Sequence, residues 1–154
     1  MERIVNQIHK TLIKNKKTIA VAESCTGGLL SNLLTQISGS SKYFILGIVA
    51  YSNRVKEYIL KISSQLIAKK GAVSQELAKR MAVSVKELAK TDFGIAITGI
   101  AGPTGAISQK PVGTVFIAID GEDRKICKKF HFTGNRTNVR KKAALKAQIG
   151  RAHV

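Results

Sequence analysis

The stretch Thr18-Ile-Ala-Val-Ala-Glu-Ser-Cys-Thr-Gly-Gly28 decides how the rest of the chain is read. Thr18–Ala22 is short, apolar and partly β-branched, which predicts a buried strand. Thr26-Gly27-Gly28 interrupts it, and Leu29, Leu30, Leu33, Leu34 and Ile37 then recur at helical spacing up to Gly39. A buried strand handing over to a helix through a glycine turn is the repeating unit of an α/β sheet. In such sheets ligands bind beyond the carboxyl ends of the strands.

Working outward, Ile4, Val5, Ile8, Leu12 and Ile13 predict a helix over 2–15. Phe44–Tyr51 predicts a second strand. Asn53 then caps a short helix that carries Lys56 in its first turn. Ser74 caps a longer helix with Leu77, Met81, Val85 and Leu88 on one face. Phe93–Thr98 and Gly113–Asp120 predict two more strands. Arg124–Thr133 alternates as a half-exposed strand near a sheet edge. Asn135 caps a last helix that runs to about Gln148. The order α-β-α-β-α-α-β-β-β-α pairs helix-separated strands in parallel and the closely spaced late strands antiparallel. The expectation is a three-layer α/β domain with a mixed five-stranded sheet.

At 154 residues the chain is one domain long, and with 44% hydrophobic and 23% charged residues it is neither disordered nor short of a core. The longest apolar run, Phe44–Tyr51, is far below the roughly 20 residues of a membrane span. The opening Met-Glu-Arg-Ile-Val-Asn-Gln has no secretory pattern, so a cytoplasmic, membrane-free protein is expected. Two cysteines and three histidines support neither a disulfide framework nor a zinc cluster, so no metal is expected. The net charge of +17 invites polyanions. Yet the split of 19 Lys to 7 Arg, the scatter of the lysines and the absence of Trp weigh against a nucleic-acid reader.

Three segments fall at predicted strand ends. In Glu23-Ser24-Cys25-Thr26-Gly27-Gly28, a serine nucleophile with helix N–H groups as oxyanion donors competes with a plain capping turn. Thr98-Gly99-Ile100-Ala101-Gly102-Pro103 is a second small-residue loop that lacks the Lys-Ser/Thr ending of a P-loop. Tyr51-Ser52-Asn53-Arg54-Val55-Lys56 offers either a surface lysine or a general base. Arg136 and Arg140, four apart at a helix start, share one face suited to a phosphate or are surface charge.

Taken together and in order, Ala-Glu-Ser-Cys-Thr-Gly-Gly, Gly-Ser-Ser with a following aromatic, Tyr-Ser-Asn-x-x-Lys, Gly-Ala-Val-Ser, Gly-Ile-Ala-Gly-Pro, Lys-Pro-Val-Gly-Thr-Val and Gly-Asn-Arg-x-x-Val-Arg are far more specific. The sequence closely resembles the CinA C-terminal domain family, whose stand-alone members are nicotinamide-nucleotide amidohydrolases. The resemblance covers roughly residues 3–148 and implies an α/β/α sandwich with a mixed, mostly parallel five-stranded sheet. It further implies a cofactor-free Ser/Lys hydrolase that converts nicotinamide mononucleotide and water into nicotinate mononucleotide and ammonia. On this resemblance Ser24 is the nucleophile, Lys56 the base, and Tyr51 an orienter of the amine or donor to the leaving group. Thr26, Gly27, Gly28, Asn53, Gly99, Ala101 and Gly102 would surround the substrate, and Arg136 and Arg140 would take its phosphate. Thr104–Gln109, a variable connector, inherits no role. A homodimer is compatible with this reading. A non-catalytic nucleotide-binding regulator and a basic nucleic-acid-associated competence module are the rival functions. The domain is expected over 1–148. Ile149-Gly-Arg-Ala-His-Val154 does not continue the family's apolar helix, and a non-native or truncated tail is expected there.

Overall fold

The structure, a computed structural model, describes residues 2–149; the expected tail from Gly150 onward lies outside them. The elements are α1 (Glu2–Lys14), β1 (Ile19–Glu23), α2 (Leu29–Leu34), a 3-10 turn (Ser40–Lys42), β2 (Phe44–Val49), α3 (Asn53–Tyr58), α4 (Ser64–Lys70), α5 (Gln75–Ala89), β3 (Phe93–Gly99), β4 (Thr114–Gly121), β5 (Lys125–His131) and α6 (Arg136–Ile149). The five strands form one sheet in the order β2-β1-β3-β4-β5. β1 pairs in parallel with β2 and β3, and β4 pairs antiparallel with β3 and β5, so only β4 runs against the others.

Alternation along the strands sorts side chains into two layers. Ile19, Val21, Ile95, Ile97, Val115 and Ile117 pack with Leu12, Leu34 and Val139, beneath α1, α2 and α6. Ala20, Ala22, Ala96 and Ala118 face the opposite way and pack with Leu77, Met81 and Val85 of α5. Small residues on that second face let α5 lie close to the strands. At Gly94 an added Cβ would stand 2.0 Å from the Ala82 carbonyl oxygen, and that oxygen belongs to helix backbone that cannot swing aside. Gly94→Ala is therefore expected to cost about 1–3 kcal/mol of unfolding free energy, read by urea denaturation.

Several local expectations change. α2 stops at Leu34 rather than running on past Ile37. Thr35 Oγ1 donates to the carbonyls of Ser31 and Asn32, and Tyr43 Oη donates to that of Leu34 at 2.7 Å. Those carbonyls are the acceptors a further turn would need. α3 is capped by Ser52, whose Oγ accepts from Val55 N, and not by Asn53. A third helix, α4, intervenes before α5, capped by Ser63 accepting from Leu66 N. Ser74 caps α5 as expected from the sequence. Leu88, however, is 52% exposed, because the buried stripe of α5 continues from Val85 through Ala89 instead. Asn135 Oδ1 accepts from Asn138 N at the start of α6. No helix of the described residues is long and apolar enough to cross a membrane.

Candidate active site

β1 delivers Ser24 to the carboxyl edge of the sheet between its two neighbours. Ser24 N donates to the Ile97 carbonyl at 2.9 Å, and Ala50 N donates to the Glu23 carbonyl at 2.8 Å, so pairing extends to the last residue before the turn. α3 begins just past the end of β2 and brings Lys56 back across this edge. Lys56 Nζ lies 3.1 Å from Ser24 Oγ and donates to the Tyr51 carbonyl at 2.9 Å. The residue is 1% exposed, and burial pushes its pKa below the ordinary 10.5.

A cavity of about 330 Å³ opens here, lined by Ser24, Lys56, Tyr51, Asn53, Gly99, Ala101, Gly102 and Arg136 among the residues anticipated from sequence. Arg136 stands at its wall, donating from Nη1 to the Gly102 carbonyl (2.8 Å) and from Nη2 to the Tyr51 hydroxyl (3.0 Å). The Tyr51 side chain therefore meets Arg136, and it is the backbone of Tyr51 that touches the lysine. Among the described residues no Asp or Glu lines the cavity. Its charge balance favours an anionic ligand.

Thr26, Gly27, Gly28 and Arg140 are not among the lining residues. Arg140 is committed elsewhere, with Nε donating to the Cys25 carbonyl (3.0 Å) and Nη2 to that of Thr26 (3.2 Å). The N–H groups at the start of α2 are not open to an anion either. The carboxylate of Glu23, wholly buried, accepts from Gly28 N, Leu30 N, Ser31 N and Ser31 Oγ at 2.6–3.1 Å. Gly27 N donates to the Ser24 carbonyl. The expectation of free donors there fails because the chain carries its own anion one residue before the serine. Sequence reading gives Glu23 no role; a carboxylate six residues ahead of a helix start is its only signal.

Cys25 is 5% exposed and packs in the core against the α1/α2/α6 layer. Burial pushes its thiol up to about 12, so a thiolate is not available at neutral pH. The connector that was assigned no role does reach the site, since Thr104 and Gly105 line the cavity. Lys110 Nζ donates to the Lys70 carbonyl and ties that connector to the end of α4. Thr98 Oγ1 donates to the Ala72 carbonyl at 2.6 Å, fixing the turn before α5 against β3. A larger cleft of about 470 Å³ lies at the other end of β1 and β3. Its Asp92 is occupied by Lys17 and by the amide and hydroxyl of Thr18, and no Ser or Cys among the described residues lines it. Among the described residues no His/Cys/Asp/Glu cluster could hold a metal ion.

A family model described as the CinA C-terminal domain matches residues 1–149. The chain belongs to that family. The CinA-like protein of Thermotoga maritima is 44% identical over 146 residues, covering 95% of this chain and 36% of its own length. A CinA-like protein of Prochlorococcus marinus is 50% identical over 133 residues, covering 84% of this chain and 31% of its own. The CinA domain described here thus spans about a third of the length of the curated relatives it matches. Among solved structures, the competence damage-inducible protein A from Klebsiella pneumoniae superposes with a TM-score of 0.94 at 28% identity, covering 98% of this chain and 94% of that one. The competence/damage inducible protein from Agrobacterium tumefaciens gives 0.93 at 32% identity, with 97% and 92% covered. The α/β/α architecture with its mixed five-stranded sheet is therefore that of the CinA structures.

Proposed function

We propose that this CinA domain hydrolyses the carboxamide of nicotinamide mononucleotide, giving nicotinate mononucleotide and ammonia, with Ser24 as nucleophile and Lys56 as base. One observation carries the reading: a buried lysine with a lowered pKa stands 3.1 Å from a serine hydroxyl at the end of a central strand. A neutral amine has two hydrogens and one lone pair. The Tyr51 carbonyl engages one hydrogen, which leaves the lone pair free to accept from Ser24 Oγ. Ser24 Oγ then attacks the carboxamide carbon as its proton passes to Lys56. The tetrahedral intermediate collapses as Lys56 returns that proton to the departing nitrogen, and ammonia leaves. Water, deprotonated by the same amine, opens the acyl-enzyme and releases the carboxylate and free Ser24.

The substrate class rests on charge and size. A cavity of about 330 Å³ falls in the range of small-molecule sites, and Arg136 at its wall suits a phosphate. Purified protein mixed with nicotinamide mononucleotide should release ammonia and the acid in equal amounts. Binding without release would favour a regulatory nucleotide-binding domain instead. Arg136→Ala is expected to raise KM for the mononucleotide about ten- to a hundredfold, and far less for the phosphate-free riboside. Equal losses on the two substrates would remove the phosphate from Arg136.

A further inference from the structure

We infer that Arg140 is a positioning residue that locks the backbone planes following the nucleophile. The inference rests on the reading of Ser24 given above. Arg136 and Arg140 lie one turn apart on the same face of α6, yet they reach different things. Arg136 reaches the cavity wall. Arg140 spends two nitrogens of its fork on the consecutive carbonyls of Cys25 and Thr26, at 3.0 and 3.2 Å. Gly27 makes room for this, since a Cβ there would stand 2.9 Å from Arg140 Nη2, and its φ of +58° suits glycine.

Holding a carbonyl fixes the N–H in the same plane, because the two point in opposite directions across a trans peptide. With the Cys25 carbonyl drawn to α6, the Thr26 N–H is turned away from it. That N–H meets no acceptor among the described residues, and neither does the fully buried Thr26 Oγ1. Gly27 N and Gly28 N are already committed to the Ser24 carbonyl and to Glu23. Thr26 is wholly buried and does not line the cavity, so what Arg140 fixes is the course of the turn that carries Ser24. Ser24 Oγ must stand against both Lys56 Nζ and the reacting carbon, so a slack turn that misplaces it lowers kcat rather than affinity. Glu23 holds the other flank of the turn, so the loop is clamped from both sides.

Two measurements test the role of Arg140 and separate it from the choice of substrate. In steady-state assays, Arg140→Ala should lose about ten- to a hundredfold in kcat, by the same factor on mononucleotide and riboside, with KM little changed. A KM increase confined to the mononucleotide would overturn the inference and return Arg140 to the phosphate. The second measurement is labelling of Ser24 by an alkyl fluorophosphonate. Here the Oγ–P bond forms, the P–F bond breaks, fluoride leaves and the serine proton passes to Lys56. Arg140→Ala should label slower by a similar factor, and added guanidinium ion should restore part of the rate. Arg140→Lys, which retains charge but reaches one carbonyl, should fall between, and it supplies the measurement if the alanine variant does not fold. Folded variants that label at the wild-type rate overturn the positioning role. Wild-type labelling without mononucleotide hydrolysis overturns the substrate and leaves Arg140 in place. A wild-type Ser24 that does not label overturns both.

Discussion

Lys56→Arg is expected to be as inactive as Lys56→Ala, each losing about a thousandfold or more in kcat/KM. The arginine keeps the positive charge and most of the reach, so a role in electrostatic binding would survive the change. A base must release its proton near neutral pH, and guanidinium does not. Lysine does so only where its charged form is disfavoured. Lys56 is buried at 1% exposure with no carboxylate in the cavity to hold its proton, and its pKa is lowered accordingly. The sign for catalysis follows: kcat/KM of the wild type should rise with pH through the lowered Lys56 pKa and level off below 10.5.

Stability carries the same signature. Between the folded-state pKa and the ordinary 10.5, the unfolded chain binds a proton that the folded chain does not, so Lys56 makes folding more favourable as pH rises through that window. Below the window it costs stability in full. Lys56→Met, of similar reach and uncharged, should therefore be inactive yet melt higher than wild type at pH 6–7, a comparison made by calorimetry across pH. Substantial turnover by Lys56→Arg would remove the lysine from the base role and leave the Tyr51 hydroxyl or a water as the next candidate.

Ser24→Ala is the second large effect, with an expected loss of about ten-thousandfold or more in kcat. Substrate binding and the melting temperature should change little, because the hydrogen bond that Ser24 Oγ loses is the one to the Lys56 amine. Cys25→Ser is the control that gives the result meaning. A thiol is intrinsically the stronger nucleophile, and it sits next in sequence. Here Cys25 is 5% exposed and packs in the core, and its pKa is pushed up to about 12 by burial. Cys25→Ser should retain most of its activity and lose about 1–3 kcal/mol of stability, the usual range for a hydroxyl buried without a partner. An inactive Cys25→Ser beside an active Ser24→Ala would reverse the assignment.

Much of this architecture is local physics and could be read directly. Strand–turn–helix order, the edge position of β5, the caps at Ser74 and Asn135 and the convergence of Ser24, the Gly99 loop and Tyr51 at strand ends all follow from periodicity and turn chemistry within a few residues. Motif order was enough to identify the family. What the chain could not disclose depends on groups brought together from far apart. Whether Lys56 is a solvated surface charge or a buried amine depends on its closure over Ser24, 32 residues away. Arg136 and Arg140 are indistinguishable on a helix face, and only the packing of α6 sends one to the cavity wall and the other to the carbonyls of Cys25 and Thr26. Glu23 reads as an ordinary acidic residue until α2 folds back onto its carboxylate and uses up the donors the glycine turn seemed to offer. Leu88 carries the right periodicity, yet the sheet meets α5 through Ala89. Sequence patterning determines which elements form and which faces they bury. Proton affinity and hydrogen-bond partnership depend on what stands within a few ångströms in three dimensions, and that was settled only by the tertiary fold.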